Sequence, residues 1–205
     1  MSAAAGRPKR PTLRAARDVR ELPQQVRIVG GSLKRSVLPV LDRPGLRPTP
    51  QRVRETLFDW LGQDLTGWAC LDAFAGTGAL GFEAASRGAA SVLLLERDPG
   101  LVAALRAAQA RLRATTVTVE RADSVSWLRA AAAGRFQLVL LDPPFDDPEL
   151  LESALQATTH LVGDGGFIYV EAARPLQRCP EGFELWRRSR AGVVHFHLLR
   201  RKASG

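Results

Sequence analysis

The chain has 205 residues, 45% of them hydrophobic, and a formal charge of +8. That length favours one domain with a real core, and the basic balance suits a polyanionic partner, most simply a nucleic acid. No run approaches the roughly 20 apolar residues of a membrane helix, the N-terminus lacks a signal peptide's apolar region, and Cys70 and Cys179 fit no zinc spacing. The expected setting is the reducing cytoplasm, with no membrane and no metal.

Residues 1–22, rich in Ala, Pro and Arg, show no usable period and read as a disordered tail. If it has a specific role, Arg7, Lys9, Arg10, Arg14, Arg17 and Arg20 make it a basic arm for phosphates. Residues 23–205 are expected to form one domain. Its first part, 23–45, reads as a small β appendage: VRIVGG and SVLPV are strand-like runs around Lys34 and Arg35, and Gly30-Gly31 suits a turn. In LRPTPQRVRETLFDWL, Thr49 is placed as an N-cap with Pro50 at the first helical position. Val53, Leu57, Phe58 and Leu61 then face inward, leaving Arg47, Arg52 and Arg54 for the outside or for a ligand.

After Gly67 the chain alternates. WACLDAF, SVLLLE, TVTVE, FQLVLLD and GGFIYVEA read as strands; GALGFEAASRG, DPGLVAALRAAQARLR, DSVSWLRAAAA and DPELLESALQATTHL read as helices between them. This is the pattern of a parallel sheet covered on both faces. FELWRRSR and VVHFHLLRR, flanking Ala191-Gly192, read as a closing antiparallel hairpin.

LDAFAGTGALG contains Gly76-x-Gly78-x-x-Gly81, and Glu96 ends the next strand. A strand, glycine loop and helix bring backbone N–H groups against a ligand, and a strand-end carboxylate can take both ribose hydroxyls of an adenosine. Both features suit a nicotinamide dinucleotide and S-adenosylmethionine alike. Asp72, four residues before the first glycine, favours the second: a carboxylate there repels a pyrophosphate but is compatible with a sulfonium and an ammonium. The loop also contains no Lys or Arg.

Asp142-Pro143-Pro144-Phe145 ends another buried strand, and two prolines force the chain out of the sheet. In a sheet ordered 3-2-1-4-5, the strands ending at Asp72 and Asp142 are neighbours across the switch point, so both motifs should face one crevice. The chemistry fits an exocyclic amine, whose lone pair is delocalised into its ring. Asp142 and the carbonyl of Pro143 could accept its two N–H groups and turn the lone pair toward a methyl donor, without a metal. Phe145 would stack on a flipped or unpaired base. His160, His195 and His197 have no evident metal-ligand partner and read as surface or RNA-facing.

Asp-x-Phe-x-Gly-x-Gly followed by Asp-Pro-Pro-Phe resembles the amino methyltransferases of nucleic acids. With IVGGSLKRSVLPV, GLRPTPQRVRETLFDWL and CLDAFAGTGALGFEAASRGA, the chain from about Val26 to Arg200 resembles the RsmD family, bacterial enzymes that methylate the N2 amine of one guanine in 16S ribosomal RNA. The resemblance implies a Rossmann-like class I methyltransferase fold: a mainly parallel seven-stranded sheet with helices on both faces. It implies S-adenosylmethionine as cofactor, held by Asp72, Phe74, Ala75, Gly76, Thr77 and Gly78, with Glu96 on its ribose, Asp123 and Ser124 near its adenine, and Thr49 and Arg52 beside it or closing the site. Asp123 also reads as a helix N-cap. Asp142, Pro143, Pro144 and Phe145 would be catalytic. Lys34, Arg35, Arg47, Arg52 and Arg54 would meet the RNA. The expected partner is the small ribosomal subunit or its assembly intermediate, and the expected state is a monomer. The rivals are a DNA amino-methyltransferase and a non-catalytic ribosome assembly factor.

Overall fold

Seven strands make one sheet in the computed structural model, which describes residues 25–43, 45–144 and 147–203. The basic tail read over residues 1–22, and Phe145, lie outside the described residues. Five strands are parallel: β3 (Ala69–Asp72), β4 (Ser91–Glu96), β5 (Val117–Arg121), β6 (Phe136–Leu141) and β7 (Val162–Ala172). β8 (Phe183–Ala191) and β9 (Val194–Arg201) form an antiparallel hairpin on the β7 edge. The order is β5-β4-β3-β6-β7-β9-β8, a Rossmann-like sheet whose winding reverses between β3 and β6.

The central strands are apolar without alternation because both faces are covered. On one face lie α1 (Gln51–Trp60), α2 (Ala79–Ser86) and α3 (Pro99–Leu112), packed on Cys70, Leu94, Leu138 and Tyr169. On the other lie α4 (Ser124–Ala130) and α5 (Pro148–Thr158), packed on Leu71, Leu95, Val139 and Ile168. Asp98 and Asp147 cap α3 and α5 through the N–H groups of Leu101 and Leu150, each with a proline at the helix start. Several boundaries differ from the sequence reading. α5 ends at Thr158 and the strand of VRIVGG at Arg27, each short of the end of its run. α4 stops at Ala130, where the His160 ring meets the carbonyl of Ala131 and the backbone turns extended. β7 begins at Val162, ahead of its apolar run.

β1 (Gln25–Arg27) and β2 (Val37–Pro39) pair antiparallel, and Val26, Ile28 and Leu38 are buried in the same core as α1 and α2. The hairpin is pinned by Glu83, which is fully buried on α2. Its carboxylate accepts the N–H groups of Val29 (3.0 Å) and Gly30 (2.8 Å), Arg54 Nη1 (2.9 Å) and Arg87 Nη2 (2.8 Å).

This network corrects the reading of Arg54 as an RNA-facing side chain. It is 2% exposed and spends its donors on Glu83, the carbonyl of Arg27 and the carbonyl of Thr49. Its neighbours Val53, Leu57 and Phe58 are buried as expected. A second correction concerns His197, read as surface or RNA-facing. It is buried, and its Nε2 accepts the N–H of Leu176 from the loop that crosses this face of the sheet. His160 and His195 are partly buried.

Candidate active site

The carboxyl ends of the parallel strands open into a cleft of about 510 Å³. Its size is in the range of small-molecule sites. Each of four adjacent strands brings a carboxylate to this edge. Asp72 ends β3, Glu96 ends β4, Asp142 follows β6, and Glu171 stands next to the end of β7. The parallel topology produces this convergence; no local sequence feature could.

The glycine loop is built by close approach. Gly78, at φ +79°, would bring a Cβ within 2.7 Å of Leu105 and Phe82. At Gly81 a Cβ would lie 2.1 Å from Leu94, so this glycine lets α2 sit against β4. The N–H of Gly81 donates to Asp72 Oδ2 (3.0 Å). Asp72 Oδ1 is buried with no partner among the described residues. Glu96 holds the loop from the other side, accepting the N–H of Gly76 (3.0 Å) and that of Asp98 (2.9 Å).

Thr49 does not cap α1, which corrects the sequence reading. Its hydroxyl donates to Asp142 Oδ2 at 3.0 Å, and α1 starts after Pro50 with no side-chain cap. The helix begins one residue later than that reading, and the Thr49 hydroxyl serves a tertiary acceptor in place of a local N–H donor. Because Arg54 holds the Thr49 carbonyl, α1 and the N-terminal hairpin together fix the group that orients Asp142.

Burial pushes the Asp72 carboxyl up to about 7, and the charge of Asp142 adds to the shift. Burial likewise raises Asp142 to about 7, opposed by the Thr49 hydroxyl. Glu171, the neighbour of Asp142 across the β6–β7 register, goes well above the ordinary carboxylate range through burial and the charge of Asp142. The Tyr169 hydroxyl donates to Glu171 at 2.9 Å. Burial and mutual repulsion thus hold both carboxyls of the Asp142–Glu171 pair up, so the two do not readily ionise together. Glu171 was missed from the sequence. The signal was available: a carboxylate closing an apolar strand, as at Asp72 and Glu96.

Phe74, Ala75, Thr77, Asp123 and Ser124 line the same cleft, as do Pro143 and Pro144. Asp123 is the N-cap of α4, accepting the N–H of Ser126 at 3.0 Å from an exposed position on the rim. The Ser124 hydroxyl is buried on the carbonyl of Ala73. Of the basic candidates, Arg47 lines the cleft and is exposed, Arg52 is exposed on α1, and Lys34 and Arg35 are exposed at the hairpin turn. Among the described residues no group of three or more His, Cys, Asp or Glu could hold a metal ion, and no helix is long and apolar enough to cross a membrane.

Residues 26–200 match the family model described as conserved hypothetical protein 95. The chain is 40% identical to the ribosomal RNA small subunit methyltransferase D of Escherichia coli, over 88% of this chain and 92% of that one. It is 37% identical to the Haemophilus influenzae protein of the same name, over 85% and 93%. The solved structure of Escherichia coli yhhF superposes with a TM-score of 0.77 at 40% identity, covering 88% of this chain and 99% of that one. A precorrin-6y methyltransferase from Geobacter metallireducens, 17% identical, shares the fold at a TM-score of 0.65 over 81% and 94%. The sheet order with its antiparallel hairpin is thus that of a class I methyltransferase, and the chain belongs to the conserved hypothetical protein 95 family, the RsmD family.

Proposed function

We propose that this protein is an S-adenosylmethionine-dependent methyltransferase acting on the exocyclic N2 amine of a guanine in 16S ribosomal RNA of the small subunit. One observation carries the reading: the glycine loop, with the buried Asp72 whose Oδ1 has no partner among the described residues, and the Asp142-Pro143-Pro144 exit share one cleft. The donor set fits the cofactor. Asp72 Oδ1 is a desolvated acceptor suited to a cation, Glu96 suits the ribose, and Thr49, Phe74, Ala75, Gly76, Thr77, Asp123 and Ser124 complete the lining, while Gly78 shapes the loop without lining the cleft. Arg43, on the rim, faces Asp98 at 3.7 Å. When bound, the cofactor supplies an electrophilic methyl group.

The protein's own work is positioning. Asp142, ionised and steered by Thr49, accepts one N–H of the amine, and the Pro143 carbonyl accepts the other. This draws the nitrogen toward a tetrahedral shape and aims its lone pair. After transfer the surplus proton leaves to solvent or through Asp142. Phe145 completes the motif as a stacking partner for the base. The names of the relatives support ribosomal RNA as the substrate.

Titration calorimetry tests the cofactor half. The wild-type protein should bind S-adenosylmethionine at one saturable site. Glu96→Ala should bind at least tenfold more weakly, as expected when a charge-assisted hydrogen bond of about 1.5–3 kcal/mol is lost. Absence of wild-type binding would overturn the reading, and unchanged affinity in Glu96→Ala would remove Glu96 from the site.

A further inference from the structure

Charge is distributed unevenly along this chain. Residues 55–172, which hold most of the sheet, carry 16 acidic and 8 basic side chains. Residues 25–54 carry 7 basic and 1 acidic, and residues 173–205 carry 8 basic and 2 acidic. The first basic block includes Arg47 on the cleft. The second block has no part in the chemistry described above.

Strand register places part of the second block level with the site. Asp142 stands beside Glu171, whose row continues through Phe196 on β9 to Ser189 on β8. Arg188 lies one row before, in line with Val170 and His197, and Arg190 one row after, in line with Ala172 and His195. Both therefore point to the face that carries α5. At about 4.8 Å per strand spacing, three spacings put them roughly 14 Å from Asp142. Arg174 and Arg178 are exposed on the loop after β7 that crosses this same face.

These arginines are not used internally. Arg200 pairs with Glu184 and lies over Trp186, and Arg201 holds the Thr159 carbonyl and faces Asp164. Arg174, Arg178 and Arg188 make no ion pair or hydrogen bond among the described residues, and Arg190 bonds only the hairpin carbonyl of Gly192. Charges on β8 would also discourage an edge strand from pairing with another chain. That role is indifferent to sign and needs no arginine in the preceding loop.

We propose that Arg174, Arg188 and Arg190 form a phosphate-binding rim that seats the ribosomal RNA backbone on the β8–β9 side of the cleft, opposite the N-terminal basic block. The rim rests on the proposed RNA substrate and deepens that reading. A nucleotide whose base enters the cleft is then held by its flanking phosphates on both sides, and the acidic middle of the protein is kept away from the backbone. Contacts of this kind fix register without reading sequence.

The test uses the full chain carrying Arg188→Glu and Arg190→Glu, with isolated unmethylated small ribosomal subunits. Filter retention measures subunit binding against salt, and calorimetry measures affinity for S-adenosylmethionine. The double variant should bind subunits at least tenfold more weakly, with cofactor affinity within twofold of wild type. Its slope of log affinity on log salt should be smaller by about 0.7–0.9 for each phosphate that is no longer neutralised. Arg188→Lys with Arg190→Lys should bind within about threefold of wild type, because point charges also serve phosphates. Unchanged binding and slope in the charge-reversed variant would overturn the rim and leave edge protection as the role of these arginines. A wild-type protein that binds subunits but transfers no methyl group would instead overturn the reading of the cleft, and the binding comparison still decides the rim.

Discussion

Asp142→Ala is expected to lower the rate of methyl transfer by on the order of 10²–10³-fold, the loss typical of removing one preorganised group aimed at developing charge. Affinity for S-adenosylmethionine should remain within a few-fold. The ionised carboxylate accepts an N–H more strongly than the neutral acid and can take up the surplus proton, and burial raises it to about 7, so the wild-type rate constant at low cofactor concentration should fall as pH drops through about 7. The same shift makes Asp142 costly to the fold. An unfolded carboxyl ionises near pH 4, so the folded protein holds a proton between about 4 and 7 that the unfolded chain has lost. The stability this provides is fully present below about 4 and lost as pH rises through about 7. Asp142→Asn should therefore melt higher than wild type at pH 8 while transferring methyl groups more slowly, because its amide oxygen still accepts an N–H but carries no charge and takes up no proton. An Asp142→Ala protein with full turnover, or a rate flat from pH 6 to 8, would contradict the role given to this residue.

The largest stability effect is expected at Glu83, remote from the chemistry. Glu83→Ala leaves Arg54 and Arg87 buried without their counter-ion, and strands the N–H groups of Val29 and Gly30. Breaking a buried pair from one side costs about 3–5 kcal/mol. At roughly 2–4 °C per kcal/mol for a chain of this size, the melting temperature should drop by on the order of 10 °C. Cofactor affinity should also suffer, because Arg54 then no longer holds the Thr49 carbonyl firmly. Glu83→Gln keeps an acceptor but not the charge and should lie between the two. A melting temperature within about 2 °C of wild type in Glu83→Ala would show that water or rearrangement compensates the two arginines.

The strands and helices after Gly67 were legible because their periods are strong and their ends are marked by Asp, Gly and Pro. The cleft was legible for a topological reason. Once the runs ending at Asp72, Glu96 and Asp142 are placed in a parallel sheet, their ends must meet at one edge. What escaped depends on partners far along the chain. Arg54 looks like any helical arginine until Glu83, 29 residues later, is folded against it. Thr49 has good N-cap chemistry, but Asp142, 93 residues away, takes its hydroxyl. His197 alternates with Phe196 as a half-exposed strand would, yet the loop carrying Leu176 covers it. Glu171 alone carried a usable local signal.

The most direct test is chemical identification of the product. The protein is incubated with methyl-labelled S-adenosylmethionine and small ribosomal subunits lacking the modification, the RNA is digested to nucleosides, and the labelled species is identified by chromatography and mass spectrometry. Label confined to N2-methylguanosine is the predicted result. Label in any other nucleoside, or none from a protein that binds the cofactor, would contradict the assignment of this cleft to guanine N2 methylation.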